Sequence, residues 1–206
     1  EIHERLVGSE MCIRDRFSTV ENARQALMGC YGYMSADNAY GQAWQEVTFG
    51  YCGFGWSQTN GSSTDLLVSM DGGIDETINT MAWRGMYKVI GETNAFIANI
   101  ADSPLESADK LPMEAAARFL RALAYYNLAV TYGDVPLKTT PSAHDGVAVP
   151  RSPKNEVFEL VRTDWEFAYE NLPEKDDDGF ATKWAAKAYL GKLYHTLGCP
   201  VSYTHL

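Results

Sequence analysis

The sequence predicts an all-α protein built of stacked helical pairs. Three observations carry this. Five stretches place apolar residues at helical spacing. No stretch alternates apolar and polar residues as a half-buried strand does. One of the five stretches carries two stripes rather than one, the pattern of a helix packed between two neighbours.

The first helix is predicted over about 20–36. Thr19 stands where a side-chain oxygen caps a helix, and Val20, Ala23, Leu27, Cys30, Tyr31 and Met34 follow at helical spacing. Residues 37–74 change character. Gly41, Gly50, Gly53, Gly55, Gly61, Gly72 and Gly73 punctuate them, and only a short helix near 42–48 fits. The rest reads as one long loop. Loops of that length in compact domains are usually functional or disordered, and Tyr51, Phe54 and Trp56 argue against plain disorder.

The second helix is predicted from Asp75 to Ile100, with Met81, Trp83, Met86, Tyr87, Ile90, Asn94, Ile97 and Ile100 on its buried face. Asp75 and Glu76 suit the positive end of its dipole. The third covers about 112–132, with Pro112 in its first turn and Gly133 as C-terminal cap. Its stripes are Ala115, Phe119, Ala122, Tyr126 and Val130 on one side, and Arg118, Arg121, Tyr125, Leu128 and Tyr132 on the other. The fourth opens with Ser152 as cap and Pro153 as first residue and stops at Pro173. The fifth runs from Thr182 to about Leu197 and is rich in small residues that permit close helix approach.

Composition narrows the function. A formal charge of −10, from 27 acidic and 17 basic residues with no basic cluster, excludes a nucleic-acid footprint. No run of about 18 apolar residues is present, so no helix is predicted to span a membrane. Cys12, Cys30, Cys52 and Cys199 form neither a CxxC pair nor a metal spacing with histidine, and read as small hydrophobes. No cofactor, metal or catalytic residue is predicted. His144 and His195 have no nucleophile or metal partner at helical spacing. Asn60-Gly61-Ser62 matches a glycosylation acceptor by chance composition, and Asp176-Asp177-Asp178-Gly179 reads as a solvated turn, because it lacks the alternating spacing of a calcium loop.

The two ends read as foreign. Residues 1–16, EIHERLVGSEMCIRDR, and the last seven, PVSYTHL, resemble translated sequencing adaptor and have neither an apolar leader core nor a cleavage pattern. The native segment is expected to be 17–199.

Four segments in order resemble the N-terminal half of the SusD/RagB family. The first is Trp83, Tyr87 and Asn94 on the second helix. The second, and the most specific, runs from Ala117-Arg118-Phe119-Leu120-Arg121 through Tyr125-Tyr126-Asn127 to Tyr132-Gly133-Asp134-Val135-Pro136. The third is Arg151-Ser152 leading to Glu156-Val157-Phe158, then Asp164, Ala168 and Leu172-Pro173. The fourth is Thr182-Lys183-Trp184-Ala185-Ala186-Lys187-Ala188-Tyr189. The resemblance implies tetratricopeptide-like helical pairs with long decorating loops, here an incomplete SusD-like domain. It implies a non-catalytic lipoprotein of the outer-membrane surface that captures oligosaccharides, or peptides in some members. It also implies a SusC-like TonB-dependent transporter as partner, and a membrane link only through a lipid anchor that this fragment lacks.

The physical reading of the motif residues is structural. Arg118 and Arg121 are expected to pair with Asp164 and hold the third and fourth helices in register. Trp83, Tyr87, Trp165, Trp184 and Tyr189 are expected in the core. A sugar site needs flat aromatics for C–H faces and amides or carboxylates for hydroxyls. The 50–71 stretch offers Tyr51, Phe54, Trp56, Gln58, Asn60, Asp65 and Asp71, and these are the candidate glycan-binding residues. The alternative function is a helical scaffold that docks a peptide or protein. A hydrolase on the same scaffold is the third. The fifth helix and the aromatic loop are expected to lack packing partners within this chain.

Overall fold

A computed structural model describes residues 17–50, 52, 68–69, 77–141 and 149–198. In chain order they form α1 (Val20–Ser35), a π-helical turn (Asp37–Gly41), α2 (Ala43–Gly50), α3 (Thr77–Ala101), α4 (Ser107–Tyr132), β1 (Val135–Pro136), β2 (Arg151–Ser152), α5 (Lys154–Asn171) and α6 (Lys183–Gly198). The all-α expectation holds. The two foreign-looking ends, 1–16 and 200–206, lie outside the described residues, as do Asp75 and Glu76.

Helix α1 begins as its sequence dictates. Thr19 Oγ1 accepts the Asn22 N–H at 3.2 Å, and Ala23, Leu27, Cys30 and Met34 are buried at helical spacing. The chain then kinks at Ala39, whose φ and ψ are both −122°. This turn packs onto α3 at Gly85. A Cβ there would stand 1.8 Å from the Asn38 carbonyl oxygen, so only glycine lets the two backbones meet.

Helix α4 lies between neighbours. Every residue from Phe119 to Ala129 is buried, and α3 and α5 pack against it. The two-stripe pattern therefore marks a central helix. Only Val130, at 47% exposure, departs from its expected stripe. The helix starts at Ser107, five residues ahead of the prediction, so Pro112 sits inside it rather than in the first turn. Gly133 caps the other end with φ 75°, as predicted, and donates its N–H to Ala129 O at 3.2 Å.

Two further corrections concern the segment after α4. Val135–Pro136 and Arg151–Ser152 pair antiparallel, a two-residue bridge too short to show alternation in sequence. Ser152 is thereby drawn into β2, and the cap position of α5 falls on Pro153 with no side-chain cap hydrogen bond. Asp134 supplies the acceptor instead, taking the Lys154 N–H on Oδ1 at 2.8 Å. Helix α6 packs on α5, the second hairpin of the stack.

Candidate functional site

The residues expected to bind glycan, Tyr51, Phe54, Trp56, Gln58, Asn60, Asp65 and Asp71, all lie outside the described residues. Their flanks are described. Helix α2 ends at Gly50, held by buried Trp44 and Val47, and α3 begins at Thr77 beside buried Ile78. The two helices pack on each other, so the intervening segment leaves from one packed helix and enters its neighbour. Phe49 stands at the exit, 66% exposed. Sequence reading passed over it. Its signal was its spacing: five residues from Trp44 and two from Val47, it falls on the opposite face of the short helix.

The frame beneath is a buried polar network. Arg121 donates from Nε to Asp164 Oδ2 and from Nη2 to Asp164 Oδ1, each at 2.8 Å, and from Nη1 to Asn94 Oδ1 at 2.8 Å. Asn94 Nδ2 in turn donates to the carbonyls of Lys138 and Thr140, at 3.0 and 3.3 Å. The Tyr125 hydroxyl contacts both Lys138 O, at 2.8 Å, and Lys138 N–H, at 2.6 Å. Tyr87 donates its hydroxyl to Pro136 O at 2.8 Å, and burial pushes that phenol well above its ordinary range. The motif residues thus lash α5, α4 and α3 to the extended chain after β1. Arg118, at the rim, pairs chiefly with Glu114, at 2.6 Å, and only weakly with Asp164, at 3.5 Å.

Trp165 is fully buried and donates Nε1–H to Phe119 O at 3.3 Å, while Trp83, Tyr87 and Tyr189 are half-buried against the core. Trp184 corrects the expectation: it is 51% exposed. It lies on the outer side of α6, a helix whose only buried residues are Ala186 and Leu193, because no described element covers that face.

Asp176 and Asp178 also depart from the solvated-turn reading. Arg24 on α1 binds both, with Nη2 3.1 Å from Asp176 Oδ2 and Nε 2.8 Å from Asp178 Oδ2. Burial alone would raise the Asp176 carboxyl. The Phe180 N–H, the Arg24 guanidinium and the Asp178 N–H outweigh it and hold the carboxyl below its usual range. The turn is therefore a clasp between α1 and the α5–α6 connection. His195 is exposed and His144 lies outside the described residues. Among the described residues no group of three or more His, Cys, Asp or Glu side chains is arranged to hold a metal.

Comparison with known proteins fits this frame. The SusD-like family model, described as starch-binding and associating with the outer membrane, matches residues 20–195. A SusD-like protein of Bacteroides ovatus is 33% identical over 125 residues, covering 59% of this chain and 23% of that protein. SusD-like protein P2 of Formosa agariphila is 27% identical over 188 residues, covering 88% of this chain and 37% of that protein. The chain thus spans well under half the length of these relatives. Among solved structures, a laminarin-binding SusD-like protein superposes with a TM-score of 0.72 at 25% identity, covering 88% of this chain and 41% of that one. A SusD superfamily protein of Bacteroides vulgatus reaches a TM-score of 0.81 at 16% identity, over 88% of this chain and 41% of that one, which is evidence of fold. With its helical frame, its buried Asn94–Arg121–Asp164 network and a family match over 20–195, the chain belongs to the SusD/RagB family.

Proposed function

We propose that the protein of which this chain is part captures oligosaccharides at the outer-membrane surface and passes them, unaltered, to a SusC-like TonB-dependent transporter. The observation that carries this reading is the alignment of nearly the whole helical frame with a laminarin-binding relative. A further match is a chain solved with a xylogluco-oligosaccharide, at 26% identity and a TM-score of 0.70 over 82% of this chain and 34% of that one. The loop aromatics Tyr51, Phe54 and Trp56 stack on sugar faces, while Gln58, Asn60, Asp65 and Asp71 take hydroxyls. A net charge of −10 suits a neutral ligand better than an anionic one. A lipid anchor holds the whole protein at the membrane.

Calorimetric titration of the full chain with laminari- and xylogluco-oligosaccharides tests the reading, with reducing-end release followed in parallel. Saturable binding without release is expected. Absence of binding, or release that one carboxylate substitution abolishes, overturns it. Co-purification with a co-expressed TonB-dependent transporter tests the partner.

A further inference from the structure

A cleft of about 700 Å³ runs between α1 and α3. Two helical rows face each other across it. Asn22, Gln25, Ala26, Gly29 and Tyr33 come from α1; Glu92, Ala95, Phe96 and Asn99 come from α3. Its size is that of a small-molecule site. Phe17 packs edge-on against Phe96, ring centroids 5.4 Å apart, and closes one end. Tyr33, 39% exposed, lines the other, with Lys88 Nζ 4.9 Å from its ring centroid.

Two features set this cleft apart from an ordinary groove between helices. The first is Gly29. Glycine weakens a helix interior relative to alanine, and packing does not require it here, because nothing lies within 4 Å of where a Cβ would stand. Gly29 is exposed, and without a side chain it leaves the mouth of the cleft open. The second is the polarity of the rim. Asn99 spends one amide N–H on Ala95 O at 2.8 Å, and Gln25 spends one on Glu21 at 3.3 Å, so each keeps its carbonyl oxygen and a second N–H for a ligand. Glu92 gives one carboxylate oxygen to Lys88 at 2.6 Å and keeps the other. Apolar walls bordered by amides and a carboxylate suit a ligand with an apolar face and a rim of hydroxyls, which donate and accept.

We infer that the α1–α3 cleft is a second carbohydrate subsite, holding a short stretch of neutral oligosaccharide through hydroxyls on Gln25, Glu92 and Asn99 and a C–H face on Tyr33. The inference rests on the glycan-capture reading above and adds a location that reading does not use.

The test is a titration of the full chain, with alanine methyls labelled, by laminarihexaose. The Ala26 and Ala95 methyls lie in the cleft and are expected to shift, in a Trp56→Ala background as well. Gly29→Leu obstructs the mouth of the cleft and should abolish those shifts while keeping the helical circular dichroism. Asn99→Ala, a mild change on a helix, should weaken the cleft shifts by about threefold in apparent Kd. Binding by calorimetry with Ala26 and Ala95 unmoved overturns the cleft and leaves the loop site standing. No binding at all removes glycan capture and the cleft together. Shifts produced by a peptide and not by the sugar overturn the ligand class.

Discussion

Arg121 grips Asp164 through two parallel hydrogen bonds of 2.8 Å, with the carboxylate fully buried and the arginine 5% exposed. The geometry is the bidentate fork that only arginine offers a carboxylate. Asp164 belongs to α5 and Arg121 to α4, so the pair fixes the register of the central helix against its neighbour. Asp164→Ala should cost about 3–5 kcal/mol in chemical denaturation, because it strands a buried guanidinium. Joint replacement, Arg121→Met with Asp164→Leu, should recover much of that loss. A double variant no more stable than Asp164→Ala would show that the other partner, Asn94, dominates.

A second relationship is steric. Gly85→Ala would place a methyl 1.8 Å from Asn38 O, in the π-helical turn that precedes α2. Backbone cannot yield as a flexible side chain does, so α3 and the turn must separate. A loss of about 2–3 kcal/mol is expected, read as a fall of several degrees in Tm. The same change at Gly32, with open space around it, should be neutral or slightly stabilising.

These two cases show what the sequence could reveal. Arg121, Asp164 and their pairing were legible because charged residues on a packed helical stripe need partners. The helices were legible because period and caps agree, as Thr19 and Gly133 show. Gly85 was not, since a glycine within a helical pattern gives no hint of what approaches it. Nor was the start of α4: Pro112 looked like a first-turn proline, yet the helix extends back to Ser107. Asp134 capping α5 across the β1–β2 bridge is a contact between segments 20 residues apart, beyond any local pattern. For the proposed glycan site, the 50–71 candidates come from composition alone and lie outside the described residues, whereas the cleft between α1 and α3 exists only once two helices face each other.

Tryptophan burial gives a sharp contrast. Trp165 is fully buried and Trp184 is 51% exposed, although the sequence predicts both in the core. Trp165→Ala should cost about 3–5 kcal/mol. Trp184→Ala should change stability by about 0.5 kcal/mol or less. Equilibrium unfolding of both variants checks this, and a large loss at Trp184 would mean that its face is covered in solution.

Loss of a stacking ring should be visible in binding rather than in folding. Trp56→Ala is expected to weaken oligosaccharide binding roughly threefold to tenfold. Asp178→Ala, which loosens a surface clasp with Arg24, should leave affinity unchanged. Titration calorimetry on both separates site from scaffold. Equal affinities would remove Trp56 from the site.

The clasp itself has a pH signature. The Asp176 carboxyl is depressed in the folded chain, where Oδ1 accepts the N–H groups of Asp178 and Phe180 and Oδ2 meets Arg24. A depressed carboxyl stabilises the fold above its unfolded value, about 3.9, and the contribution disappears as pH falls through the lower folded value. The penalty of Asp176→Asn should therefore be full at neutral pH and shrink steadily as the solution is acidified below the ordinary carboxylate range. Tm of wild type and variant measured across that range reads the difference directly. Phe180 gives a local reporter, since its ring packs on Tyr31, with centroids 5.0 Å apart, and beneath the Arg24 guanidinium at 4.7 Å. Its resonances should move with the same midpoint. A penalty independent of pH would mean that the two backbone N–H bonds hold the turn without help from the charge.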